Sequence, residues 1–88
     1  MEYCELWLET DNSKFRVALL VPDGFEIPEG FGLLRSSDPS GKILYVSEWY
    51  PGIMKAKDHI NYAARFYSDR SEKFLFFREI RPASSAQS

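Results

Sequence analysis

One segment of the chain, residues 51–67, has the spacing of an amphipathic helix, and it restricts the folds that the sequence can adopt. Its apolar and small residues recur at steps of three and four, so a helix gathers them into one stripe. The stripe contains Ile53, Ala56, Ile60, Ala63, Ala64 and Tyr67. Most of the remaining apolar residues alternate as they do in strands. We therefore expect this helix to cover one face of a sheet, and the alanines to let it approach closely.

Alternation of apolar and polar residues predicts the strands of that sheet. Residues 3–10 and 15–21 flank a cluster of turn-forming residues and should pair as an antiparallel hairpin. Two further strands are expected at residues 43–50 and 74–80, with a short candidate strand at 33–35. The last of these strands follows the helix.

The order of these elements predicts the fold class. The connection that contains the helix spans about 23 residues, which is long enough for a crossover between parallel strands. We expect a single α+β domain over residues 1–82, with a small, mixed, mainly antiparallel sheet of four to five strands and one helix packed on one face. Its element order is strand, strand, an optional strand, strand, helix, strand. Residues 83–88 show no pattern and are predicted to be a disordered tail.

The composition narrows the class of protein. Eighty-eight residues are enough for one domain that folds alone. A single cysteine, Cys4, excludes an internal disulfide framework and fits a reducing compartment. The N-terminal residues do not resemble a signal peptide, and no apolar run approaches the length of a membrane span. The expected location is the cytoplasm, without contact with a membrane.

Residues able to carry catalysis or bind a metal are scarce. His59 is the one histidine, and pairing it with Cys4 as base and nucleophile needs a spatial coincidence that spacing does not predict. No set of residues has metal-ligand spacing, and the glycines are interrupted by prolines and acids rather than forming a phosphate loop. We therefore expect a non-enzyme with no cofactor and no metal.

Aromatic residues make up 16% of the chain, more than one small core readily uses. Four of them lie on the side of their strands opposite the most aliphatic residues: Tyr3, Trp7, Tyr45 and Trp49. Large rings of this kind are enriched at the centres of protein interfaces, so we expect these four to bind a partner on the face not covered by the helix. The alternatives are that the rings shield an open sheet, or that they meet a second copy in a homodimer.

A tandem pattern of proline, acid, glycine and phenylalanine begins at residue 22 and is repeated at residue 28. Proline and glycine at these positions predict two successive turns. The residues of interest are Asp23, Phe25, Glu26, Glu29 and Phe31. Two interpretations remain open: both rings tuck under the loop against the core, or the segment is an acidic, aromatic binding loop that orients a partner.

Charge is distributed unevenly, although the net charge is only −2. Residues 1–48 contain nine acids and four bases, whereas residues 49–88 contain seven bases and four acids. The bases of the second half that could form a patch are Lys55, Lys57, Arg65, Arg70, Lys73 and Arg78. Together with aromatic residues of the last strand, they suggest an alternative function in binding single-stranded nucleic acid.

The sequence thus predicts a small, non-enzymatic protein-binding module. An adaptor or a stoichiometric inhibitor fits this description, for example one encoded by a phage or mobile element and acting on a host nucleic-acid enzyme. Binding is expected through the aromatic sheet face and the acidic loop. The alternative remains a single-stranded nucleic-acid-binding domain that uses the basic residues of the helix and last strand.

Overall fold

The structure is a computed structural model that describes residues 2–35 and 39–83. It contains one helix and five strands, and the predicted α+β class is confirmed. The elements in chain order are β1 (Cys4–Asp11), β2 (Lys14–Pro22), β3 (Phe31–Arg35), β4 (Lys42–Ser47), α1 (Ile53–Asp69) and β5 (Phe74–Pro82).

The five strands form one mixed sheet in the order β3-β4-β2-β1-β5. All neighbouring pairs are antiparallel except β1 and β5, which are parallel. The chain leaves β4, forms α1 and returns on the far side of β1, so the helical connection passes over two strands. The sheet is mixed and mainly antiparallel, as predicted, and its parallel pair consists of the first and last strands. Strands β3 and β5 are the two edges of the sheet.

A two-residue turn closes the hairpin of β1 and β2. Asp11 pairs with Lys14, and the two residues between them, Asn12 and Ser13, have φ values of 53° and 66°. Two successive positive φ values are characteristic of the hairpin turn whose twist matches that of the flanking strands. This turn fixes the register of the whole β1–β2 pair.

The core lies between α1 and the face of the sheet that it covers. The buried residues of α1 are Ala56, Ile60, Ala63 and Tyr67, which are four of the six residues of the predicted stripe. They pack against alternate residues of the first two strands: Cys4, Leu6, Leu8, Val17, Leu19 and Val21. The hydroxyl of Tyr67 donates a hydrogen bond of 2.7 Å to the carbonyl of Glu26, so this buried ring also has its polar atom satisfied.

The last strand extends to the end of the described chain. The N–H of Ala83 donates to the carbonyl of Thr10 over 3.1 Å, and Ala83 is buried. The other residues of the predicted tail, 84–88, lie outside the described residues. The helix α1 has 17 residues. No helix in the described ranges is long and apolar enough to span a membrane.

Candidate functional site

The four aromatic residues predicted to share one sheet face do not all lie on it. Tyr45 pairs with Leu19 and packs against the core beneath α1. The aliphatic side of β4 instead faces away from the helix, where Leu44 joins Trp7 and Ala18 in a second apolar cluster. The placement of Tyr45 was therefore wrong, because it assumed that the more aliphatic side of every strand faces the helix.

The face of the sheet opposite α1, termed the open face, carries rings that are covered by cations of the chain itself. The guanidinium of Arg81 lies 4.6 Å from the ring centre of Trp7, and that of Arg16 lies 4.4 Å from Trp49. The ammonium of Lys42 lies 4.0 Å from the ring of Tyr3. These are cation–π distances.

The open-face rings therefore correspond to the shielding interpretation. Trp7 is only 6% exposed, although no layer of secondary structure covers it. Tyr3 and Trp49 are half-buried. A ring that is already enclosed offers little apolar surface to a partner, so Trp7 in particular cannot act as the exposed anchor that the sequence suggested.

A buried ion pair joins the first two strands on the open face. Glu9 is fully buried, and its Oε1 accepts a hydrogen bond of 2.9 Å from Nε of Arg16. Its Oε2 accepts a hydrogen bond of 3.0 Å from the indole N–H of Trp7. Sequence analysis missed this cluster. The signal was present, because the two-residue turn sets Glu9 opposite Arg16, and alternation puts Trp7 on the same side as Glu9.

The proline- and glycine-rich segment between β2 and β3 lies against α1. Its two rings are half-buried and pack against the core: Phe25 lies 6.4 Å from Tyr67 and Phe31 lies 4.6 Å from His59, measured between ring centres. This agrees with the first of the two interpretations. The carboxylates of Asp23, Glu26 and Glu29 are on exposed residues, and that of Glu26 pairs with Arg70 over 3.0 Å.

His59 attaches this loop to the helix. Its Nε2 lies 3.1 Å from the carbonyl oxygen of Glu29, and its Nδ1 lies 3.0 Å from the hydroxyl of Tyr50. Because a carbonyl oxygen only accepts, Nε2 carries a proton, and in the neutral ring Nδ1 is then the acceptor for the hydroxyl of Tyr50. A Cβ atom on Gly30 would lie 2.7 Å from the imidazole, so only glycine fits beneath the ring. Both ring nitrogens thus form hydrogen bonds, one to the loop and one to Tyr50.

Cys4 is buried in an environment that disfavours the thiolate, which is the form in which a cysteine acts as a nucleophile. Burial raises the pKa of its thiol to about 12, while a hydrogen bond with Tyr67 lowers the pKa by a smaller amount. The thiol is fully buried and has no contact with His59 among the interactions of the described residues. The same part of the chain contains no group of three histidine, cysteine or acidic side chains that could hold a metal ion.

The six basic residues of the alternative prediction are only partly brought together. Arg70 is at the loop side of α1, where it lies 4.1 Å from the ring of Phe66 in addition to pairing with Glu26. Lys57 and Arg78 line the same groove on the other side of the helix. Lys55, Arg65 and Lys73 are exposed.

The groove that Lys57 and Arg78 share lies between α1 and β5 and has a volume of about 280 Å³. We call it the α1–β5 groove, and it is lined by Leu8, Lys57, Ile60, Asn61, Phe76 and Arg78. Among the described residues, the loop packs against the opposite side of α1, and no corresponding segment covers the β5 side. Phe76 therefore remains 39% exposed.

A second, larger hollow of about 550 Å³ lies where β1 and β5 begin. It is lined by Tyr3, Glu72, Lys73, Phe74 and Leu75. The Oε1 atom of Glu72 is buried without a hydrogen-bond partner among the described residues. Since that oxygen is itself closed off from the hollow, it does not define a ligand there.

No protein family, curated protein or solved structure matches this chain.

Proposed function

We propose that the protein is a non-catalytic protein-binding module whose partner adds a strand to the outer edge of β5, the edge that faces away from β1. The observation that carries this proposal is a nine-residue edge strand with exposed apolar side chains. Leu75, Phe76 and Ile80 are 46%, 39% and 41% exposed. Apolar residues clustered on an exposed strand are typical of a binding surface.

Within the described residues, no strand pairs with the outer edge of β5, so backbone groups that point away from β1 are open to a partner strand. The N–H of Cys4 donates to the carbonyl of Lys73 over 3.0 Å, and residues of a parallel strand alternate in the direction of their backbone groups. The N–H and C=O groups of Phe74, Phe76 and Ile80 consequently point away from β1. Pro82 occupies the same outward register and costs no ladder hydrogen bond there. Such a row of groups is a template for an added strand.

The features of β5 that disfavour non-specific pairing with other strands are concentrated in its second half. Residues 78–82 contain two arginines, a glutamate and a proline, and a register shift falls between residues 76 and 80. Charges, prolines and bulges of this kind keep edges from aggregating. Residues 74–77 have none of these features. The first half of β5, together with Ile80, is therefore the surface on which a partner would dock.

The other edge of the sheet is a weaker candidate. Strand β3 has five residues and contains Gly32, which lacks a side chain to pack on an incoming strand. The side chain of Leu33 on this strand is 60% exposed, but β3 is four residues shorter than β5 and so offers fewer backbone groups to an added strand.

A protein partner fits the described surfaces better than a nucleic acid. Binding of single strands uses accessible rings on which bases stack. The largest rings, those of Trp7 and Trp49, are covered by Arg81 and Arg16. Strand addition needs no catalytic group, and it would suit either an adaptor or a stoichiometric inhibitor.

The test is a selection of random nine-residue peptides displayed on phage against the immobilised protein. Selected peptides should bind the wild type and lose at least tenfold in affinity for Phe76→Asp and for Ile80→Asp, each checked for folding by circular dichroism. Leu33→Asp and Met54→Asp introduce the same charge at residues 60% and 69% exposed elsewhere, and should bind like the wild type. Peptides that are insensitive to both β5 variants, or a selection that enriches none, would contradict the proposal.

A further inference from the structure

We propose that the α1–β5 groove selects an added strand that carries an acidic side chain two residues away from an apolar one. This inference rests on the proposed function, and it specifies the chemistry of the partner: an extended segment with alternating residues, one apolar and one carboxylate, on the side that faces α1.

The size of the groove limits what can enter it. Its volume of about 280 Å³ is small for a ligand site. Sites for drug-sized molecules are about 300–1,000 Å³ and enclose most of the ligand. The groove is therefore suited to one or two side chains of a peptide rather than to a free metabolite.

The floor of the groove is apolar. Leu8 and Ile60 are buried members of the core, and the ring of Phe76 forms the exposed wall. An aliphatic or aromatic side chain placed there would remove the surface of Phe76 from water. Burial of this apolar surface would contribute favourable free energy to the binding of a partner that has an apolar residue at this position.

The cations of the groove are available to a partner. Within residues 2–35 and 39–83, neither Lys57 nor Arg78 has an ion-pair partner. In contrast, Arg16, Lys42 and Arg70 pair with Glu9, Glu5 and Glu26. Two unpaired cations beside an apolar floor favour a carboxylate at the partner's surface.

Charge also argues against a second copy as the occupant. Residues 73–81 contain three bases and one acid, so pairing two β5 edges would bring an excess of positive charge together. Like charges opposite each other destabilise a strand pair. An acidic partner strand gains from the same charges.

Strand geometry sets the spacing of the two partner residues. Alternate residues of a strand point to the same face, so an apolar residue over Phe76 and an acid near Lys57 or Arg78 are two positions apart when they are neighbours on that face. The residues between them face the other side of the sheet, where Leu75 is exposed.

The experiment uses fluorescein-labelled nine-residue peptides of alternating threonine and valine, with leucine at the centre. The residue two positions along is aspartate, asparagine or lysine. By fluorescence anisotropy in 50 mM NaCl, the aspartate peptide should bind the wild type at least tenfold more tightly than the asparagine peptide, and more tightly still than the lysine peptide. In 500 mM NaCl the difference should fall below threefold, because salt screens the pairing.

Matched variants locate the effect. The double variant Lys57→Gln/Arg78→Gln should lose the preference for aspartate, whereas Lys55→Gln/Arg65→Gln, which removes two exposed cations outside the groove lining, should keep it. If the wild type binds all three peptides equally and Phe76→Asp binds none of them, this inference is overturned. Strand addition would then still account for the binding. No binding of any peptide would overturn both. A wild-type dimer in sedimentation that Phe76→Asp dissociates would show a second copy in the groove and also overturn the inference.

Discussion

The two faces of the sheet are shielded from solvent in different ways. The face under α1 is covered by a helix and a loop, yet it stays incomplete beside β5. No helix of the described residues covers the open face, yet Trp7, Glu9, Ala18 and Leu44 on it are buried. Long side chains lying flat can therefore bury the centre of a sheet face without a covering helix. On the covered face, exposed apolar surface remains at the edge, where α1 does not fully overlap β5.

The difference extends to the chemistry of the buried groups. On the open face the buried polar groups form an ion pair, Glu9 with Arg16. Under the helix, the buried Cys4 and Tyr67 are kept neutral, because burial raises the pKa of both. The two faces should consequently respond to different perturbations.

The largest effect is expected from breaking the ion pair. Glu9→Ala leaves the guanidinium of Arg16 buried without its carboxylate and should lower the free energy of unfolding by about 3–5 kcal/mol. Urea denaturation at pH 7 measures this. Glu48→Ala, at an exposed residue, is the control and should stay within about 0.5 kcal/mol of wild type. If Glu9→Ala is as stable as the control, the ion pair between Glu9 and Arg16 does not stabilise the open face.

High pH should act on the face under the helix. The thiol of Cys4 ionises near its ordinary value of 9.0 when unfolded, but its pKa in the folded protein is about 12. The folded state thus holds the proton more strongly, so its contribution is complete below pH 9 and is lost as pH rises from 9 to 12. Stability should fall by about 1.4 kcal/mol per pH unit in this range from Cys4 alone.

Urea midpoints between pH 7 and 11 measure this loss. Tyr67 contributes to the loss in the same direction from pH 10, since burial also raises its pKa. Cys4→Ala should therefore flatten the profile most between pH 9 and 10, where less than half of the tyrosine is ionised in the unfolded chain. An unchanged profile in Cys4→Ala would show that the thiol is not held neutral by the fold.

A smaller effect is expected at the loop that covers the other side of α1. Gly30 and Gly24 have φ values of 90° and 98°, so alanine is strained by about 1–2 kcal/mol at either position. Only at Gly30 does the added Cβ meet the ring of His59. Gly30→Ala should therefore be less stable than Gly24→Ala in urea denaturation. Equal losses would mean that His59 does not fix the loop in place.

Much of the fold followed from the sequence because local patterns and tertiary packing agree. The helix stripe predicted Ala56, Ile60, Ala63 and Tyr67 as core residues, and these are buried. Strand alternation predicted the β1–β2 hairpin. The partner of β5 could not be predicted, because the length of a crossover does not tell how many strands it passes over.

The surfaces were harder to predict than the fold. Alternation tells which residues of one strand share a face, but it does not tell which face of each strand meets the helix, and this misplaced Tyr45. Alternation predicts an aromatic residue to be exposed even when an arginine that is distant in the sequence covers it, as Arg81 covers Trp7. The α1–β5 groove depends on how far the helix overlaps the sheet, which no local pattern contains.

The most direct test of the account is a titration of ¹⁵N-labelled protein with a peptide selected by phage display, followed by NMR. The account predicts shifts and slowed exchange at the backbone amides of Phe74, Phe76 and Ile80, with the indole N–H signals of Trp7 and Trp49 unchanged. Changes confined to the two indole signals, with the β5 amides unaffected, would show that the partner binds the open face and would contradict the account.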